Sequence, residues 1–176
     1  SVLWKERQQN LPGLGGIPQY LADAELFEYA SPMKSSPGPV FTVKMSSPAE
    51  SSTLERVIVL ENVQDPGNVG TVIRTANAFG IDAVVLCGDC ADLYNPKTVR
   101  SAMGAIFRQR VIGCTLQELT ALLERNGLAL YGAALSDSAM SILDVDIKHA
   151  AVAVGSEGRG LSEEMLGLCR KALIIP

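Results

Sequence analysis

Six short aliphatic and β-branched runs, at 57–60, 83–86, 110–112, 128–133, 151–154 and 173–175, alternate with stretches of helical periodicity. The runs are continuous in hydrophobicity, where a strand with one wet face would alternate apolar and polar residues. That is how strands buried on both faces read, and such strands occur in parallel sheets covered by helices. The intervening segments 68–79, 96–103, 116–126 and 163–169 are expected to be those helices. Thr115 and Glu118 form a capping box before the third, Gly127 stops it, and Ser162 caps the fourth. The expected class is therefore α/β, a parallel sheet with helices on both faces.

The first fifty-odd residues break this rhythm. Pro12, Gly13, Gly15, Gly16 and Pro18 make an irregular start, and SPMKSSPGP at 31–39 and MSSPAESS at 45–52 punctuate the run to Leu54. Only a short helical or extended piece at 19–29 and a strand candidate at 40–44 lie between them, too little for an independent core. Residues 1–52 are expected to be the remnant of a small N-terminal domain with a linker, and 53–176 the main domain. A chain of 176 residues, 47% hydrophobic, suffices for such a domain with an appendage.

No apolar run approaches the roughly 18 residues of a membrane span, and residues 1–18 lack the basic-then-apolar order of a secretory signal. A cytoplasmic address and no membrane partner are expected. Cys87, Cys90, Cys114 and Cys169 fit reduced thiols better than a disulfide framework. Cys87 and Cys90 have the spacing of half a zinc site, but a second pair is missing and His149 is distant in sequence, so no metal is expected. Asp137, Asp144 and Asp146 lack ligand spacing and read as solvated carboxylates. The net charge of −4 and pI near 5.0 argue against indiscriminate nucleic-acid binding and leave room for a local basic patch.

Candidate chemistry concentrates at 60–80, LENVQDPGNVGTVIRTANAFG. Strand 57–60 enters a polar turn at Pro66 and Gly67, and Val69, Val72, Ile73, Ala76 and Phe79 then recur at helical spacing, with Asn68 expected at the helix cap. Gly70, Arg74 and Asn77 fall on the opposite face, so an arginine and an amide are expected to project together over bare backbone. Junctions at the carboxyl ends of parallel strands are where open α/β sheets keep ligands. A second junction, AVAVGSEGRGL at 151–161, carries three glycines and Glu157. It matches neither the dinucleotide fingerprint nor the phosphate-loop pattern.

Taken together, NVGTVIRTANAFG at 68–80, NPKTVRSAMGAIF at 95–107 and GSEGRGL at 155–161 resemble, in order and spacing, the SpoU/TrmH family of the SPOUT superfamily over residues 55–176. The resemblance implies an RNA ribose 2′-O-methyltransferase that uses S-adenosylmethionine, acts on ribosomal or transfer RNA, works as a homodimer, and forms a trefoil knot. It puts Gly155 and Ile175 against the cofactor, with Ser156, Glu157, Gly158 and Pro176 beside them and Ala133, Ala134 and Leu135 nearby. It makes Arg74 the catalytic candidate, supported by Asn68 and Glu157. It also implies an N-terminal RNA-binding domain, of which 19–44 resembles the last stretch. The family's third motif continues past an Ile-Pro dipeptide, whereas this sequence stops at Ile174-Ile175-Pro176. The rest of the knot, part of the cofactor pocket and much of the dimer contact are expected to lie beyond these residues.

Methylating a ribose hydroxyl requires that oxygen in line with the methyl donor and a way to remove its proton. A guanidinium stays protonated beyond about pH 12, so direct proton acceptance by an arginine needs a nearby positive charge and desolvation. The other role open to Arg74 is a bidentate clamp on the adjacent phosphate. Glu157 would fix Arg74 or the loop by a charge-assisted hydrogen bond. Lys97 and Arg100, with Arg108 and Arg110, make a basic cluster suited to RNA phosphates. The rival reading is a non-catalytic RNA-binding module on the same fold.

Overall fold

Side chains two apart in a strand share a face, and Val2 and Trp4 are buried together on β1 (Val2–Lys5). The computed structural model describes residues 1–5, 12–45, 53–136 and 138–176, and the chain divides into two units, Ser1–Ser47 and Pro48–Pro176. In the first, β1 pairs in parallel with β2 (Gln19–Ala22) and antiparallel with β3 (Val40–Phe41). Helix α1 (Ala24–Ala30) begins at Asp23, whose side chain accepts from the Leu26 amide, and buries Phe27. Lys5 lies 5.9 Å from the Phe27 ring centre and 2.9 Å from Glu28. The 19–29 piece is thus a strand followed by a helix. β1, only four residues long, is not among the expected strands.

The second unit is built on β4 (Arg56–Glu61), β5 (Ala83–Cys87), β6 (Val111–Cys114), β7 (Ala129–Ala133), β8 (Met140–Ser141), β9 (Ala150–Val154) and β10 (Lys171–Ile174). They form one sheet in the order β6-β5-β4-β9-β7-β10-β8, with every pair parallel. Residues alternate between two cores, as a strand buried on both faces requires. Val57, Val59, Ala83 and Val85 pack with Leu119, Leu122 and Leu123 of α4 (Leu116–Asn126) and Met165 of α5 (Glu163–Leu168). Ile58, Leu60, Val84 and Leu86 pack on the other face with Val69 and Ile73 of α2 (Pro66–Ala78) and with Ala102, which caps the end of α3 (Pro96–Ser101). The expected α/β class, with helices on both faces, is what forms.

Two boundaries differ from expectation for physical reasons. Asn68 is not the helix cap: Asp65 is, accepting from the Asn68 amide at 3.0 Å, and Pro66 fills the first turn, where a missing N–H costs nothing. The helix therefore begins two residues earlier, with Asn68 inside its first turn. Helix 96–103 stops at Ser101, because Met103 and Gly104 take φ of 50° and 79° and redirect the chain into a 3₁₀ turn at Ala105–Phe107. The Thr115–Glu118 capping box and the Gly127 stop form as expected. β8 has no forerunner in the sequence pattern, being two residues paired with β10.

The sheet order places the site. From β4 the chain moves outward through β5 and β6, then returns to the other side, and β9 closes the gap between β4 and β7. The exits of β4 and β9 become neighbours at a point where strand order reverses, the ligand-bearing position of open α/β sheets. Beyond them β10 sits between β7 and β8, and Ala134 donates to the Leu173 carbonyl at 3.2 Å.

Candidate active site

The β4 and β9 junctions meet through residues 89 apart in sequence: Asn68 Nδ2 donates to Glu157 Oε1 at 2.6 Å. Asn68 is held by its place in the first turn of α2, and Glu157 by a tight loop in which Ser156 and Gly160 bridge and the Gly160 amide donates to the Ser156 carbonyl at 2.9 Å. A Cβ on Gly155 would run into the Gly160 carbonyl, so glycine there is required by closure of the loop on itself. Gly158 and Gly160 face open space, and Gly160 has φ of 68°.

A clasp missed by sequence reasoning fixes the far end of this loop. Glu61, 5% exposed at the end of β4, accepts from the Ser162 amide at 2.8 Å and hydroxyl at 2.6 Å. The Ser162 oxygen in turn accepts from the Met165 amide and caps α5. A carboxylate ending a buried strand was the available signal, since such a group is kept only when hydrogen-bonded. Asn62, next in line, has φ of 53° and accepts from the Asp89 amide at 2.8 Å, and Gln64 donates to Asp89 Oδ2 at 2.8 Å.

Arg74 lies on the exposed side of α2 and has no hydrogen-bond or ion-pair partner among the described residues. Glu157 is bonded to Asn68 instead. Gly70 does not leave the backbone bare: a Cβ there would meet Ser101 Oγ and the Thr98 carbonyl, because α3 crosses at this point. Asn77 is half-buried and accepts from Arg108 Nε at 3.4 Å. Within the basic cluster, Lys97 is committed to Asp65 at 2.7 Å, which holds the Asp65 carboxyl below its usual range, with the Asn68 amide adding to the effect. Arg100 is exposed on α3 with no partner among the described residues.

The residues expected against the cofactor end three adjacent strands: Ala133 is in register with Val154 of β9 and Leu173 of β10. Past these ends Leu135 and Ile175 expose 98% and 84% of their surface, with Ala134 half-buried and Ala133 and Pro176 exposed. Ser156 is half-buried, whereas Glu157 and Gly158 are exposed.

Cys87 and Cys114 are register partners on β5 and β6. Burial pushes the Cys114 thiol up to about 12 and that of Cys169 to about 11, and raises Cys87 and Cys90 as well. All four are free thiols. Among the described residues no group of three or more His, Cys, Asp or Glu could hold a metal, and no helix is long and apolar enough to cross a membrane. Asp137 lies outside the described residues.

A profile of the SpoU rRNA Methylase family matches residues 55–176. The chain is similar to a 23S rRNA (guanosine(2553)-2′-O)-methyltransferase, RlmP, of Bacillus subtilis, 34% identical over 92% of this chain and 64% of the relative. It is also similar to an uncharacterized tRNA/rRNA methyltransferase of Synechocystis, 32% identical over 100% of this chain and 66% of that protein. The chain thus spans slightly under two thirds of these curated relatives. Among solved structures, the SpoU methyltransferase AviRb of Streptomyces viridochromogenes in complex with AdoMet superposes with a TM-score of 0.85 at 22% identity, covering 99% of this chain and 72% of that one. At that identity the likeness speaks for the fold. With the profile spanning the whole sheet-bearing unit from the start of β4, the chain belongs to the SpoU rRNA methylase family.

Proposed function

We propose that this chain is the methyl-transferring portion of an RNA ribose 2′-O-methyltransferase, acting on ribosomal or transfer RNA. The observation that carries the reading is the 2.6 Å bond from Asn68 to Glu157, which ties the β4–α2 and β9–α5 junctions together at the start of the helix that carries Arg74, an arginine with no partner among the described residues. The names of the two curated relatives support the reaction class.

S-adenosylmethionine supplies an electrophilic methyl when bound. The chain's own residues do the rest. The strand ends at Ala133–Leu135, Gly155–Gly158 and Ile175–Pro176 form the cofactor wall. Asn68 and Glu157 hold the loop in place, so that donor and acceptor groups need no reorganisation at the moment of transfer. Arg74 acts as a phosphate clamp that orients the ribose, because its exposed position lacks the desolvation that a proton acceptor of this type requires. Arg100, and Lys97 at the edge of its bond with Asp65, extend the phosphate contact. Residues 1–52 contribute RNA binding from a small N-terminal domain, the whole acts as a homodimer, and its address is cytoplasmic.

The test is methyl transfer from tritiated S-adenosylmethionine to ribosomal RNA by the full-length protein, beside its Arg74→Lys variant. A lysine keeps the charge but loses the planar fork, and a fall of about a hundredfold is expected. Wild-type rates in Arg74→Lys exclude the clamp. Failure of the wild type to transfer methyl to any RNA while still binding RNA supports the non-catalytic module instead.

A further inference from the structure

Glu61, the last residue of β4, is a carboxylate only 5% exposed that forms no ion pair among the described residues. Both of its oxygens go to Ser162: Oε2 accepts from the amide at 2.8 Å and Oε1 from the hydroxyl at 2.6 Å. We infer that Glu61 is a positioning residue for methyl transfer, which through Ser162 holds the glycine-rich loop in place against the helix that carries Arg74. The inference rests on the proposed function, since that reading makes this loop part of the cofactor wall.

Stability alone does not account for a carboxylate at this place. Burying an ion is costly, and apolar side chains of similar volume commonly hold a core as well or better. Nor does α5 need Glu61 for its cap, because the Ser162 oxygen already accepts from the Met165 amide at 3.0 Å. The charge also acts on its surroundings: after burial, it is the next cause that raises the Cys87 and Cys169 thiols. What Glu61 supplies is direction. Two charge-assisted bonds to the amide and the hydroxyl of one residue fix that residue as a single bond would not.

The loop exit has a second anchor in Leu161, 8% exposed, which lies in the core with Met165. It rests against β7, where a Cβ on Gly132 would meet Leu161 Cδ1. The loop interior is held from the same stretch of chain as Ser162 is: seven positions after Glu61, Asn68 donates to Glu157. One short segment, 61–68, thus grips the loop twice and runs directly into α2. The Asn68 bond is open to solvent and holds weakly by itself. The Glu61 bonds are shielded, so they set where the loop sits relative to Arg74.

Glu61→Gln keeps the size and one acceptor but turns the other oxygen into a donor facing the donors of Ser162. In the full-length protein without cofactor, this variant should exchange the Gly160 and Ser162 amide hydrogens about tenfold faster or more, a larger change than at Val85 in β5. Calorimetry should show S-adenosylmethionine bound about tenfold more weakly, and kcat at saturating cofactor and RNA should fall by about as much. Ser162→Ala should behave likewise, and the double variant should be no worse than the poorer single one, since both remove the same contact. Leu119→Ala opens a cavity in the same core. It should lower the melting temperature at least as far while cofactor affinity and kcat, measured where each variant is folded, stay at wild-type values. Unchanged exchange at Gly160, wild-type affinity and kcat in Glu61→Gln, or additive losses in the double variant overturn the assignment. Equal losses in Leu119→Ala also overturn it and make Glu61 a structural group. A wild type that binds the cofactor and transfers no methyl sinks the proposed function, and the exchange and calorimetry still decide the role of Glu61.

Discussion

Asn68 and Glu157 meet at 2.6 Å although one opens a helix after β4 and the other sits in the loop after β9. Two junctions that the sequence separates by 89 positions become one rigid corner. Arg74 is left outside that corner, open to a ligand.

If the bond positions the loop, Glu157→Gln should lower methyl transfer by about tenfold or more while barely moving the melting temperature, since exposed polar pairs contribute little to stability. Thermal denaturation beside the transfer assay separates the two effects. An equal loss of both would make the contact a structural one.

Gly70→Ala should destabilise the sheet-bearing unit by about 1–3 kcal/mol, the usual cost of overpacking. The added methyl would meet Ser101 Oγ, the Thr98 carbonyl and, at 2.9 Å, the Ala102 amide nitrogen. Urea denaturation measures the loss. Unchanged stability would mean that α2 and α3 separate easily.

Asp65 predicts a pH dependence. Its carboxyl is held below the ordinary 3.8 by the hydrogen bond from Lys97 and then by that from the Asn68 amide, so its contribution is present above pH 3.8 and is lost as pH falls through the lowered value. Asp65→Asn keeps an acceptor for the cap and loses the ion pair. The variant should show a shallower fall in melting temperature between about pH 4 and the acid limb, roughly the interval over which paired carboxylates titrate. Parallel curves for the two proteins would remove Asp65 from the acid transition.

The thiols predict slow alkylation. With Cys114 pushed up to about 12 and Cys169 to about 11 by burial, and Cys87 and Cys90 also raised, little thiolate exists near neutral pH. Iodoacetamide should modify the native protein much more slowly than the urea-unfolded chain, in which all four react. Fast native labelling would contradict the burial of the β5 and β6 ends.

The strands of the sheet and their burial on both faces were legible because hydrophobic runs report burial directly: Val57 and Val59 fall in one core, Ile58 and Leu60 in the other. Partner choice was not legible. Nothing in the local sequence says that Asn68, rather than Arg74, takes Glu157, because the pairing depends on β9 entering beside β4. The true cap, Asp65, lies three residues before Asn68. An Asp-Pro start and an Asn within the first turn offer similar chemistry, and the competition is settled by whose side chain faces the free amides. β8 escapes notice for another reason: two residues carry no period.

The position of β10 has a kinetic consequence. It follows both β7 and β8 in the chain yet lies between them, so those two consecutive strands cannot adopt their final spacing until a later one arrives. Closing such a non-local parallel arrangement requires loop entropy to be lost before contacts reward it, which slows folding. Refolding should therefore end in a late phase in which the wall expected to hold the cofactor is completed last, after the β4–β5–β6 half is already ordered.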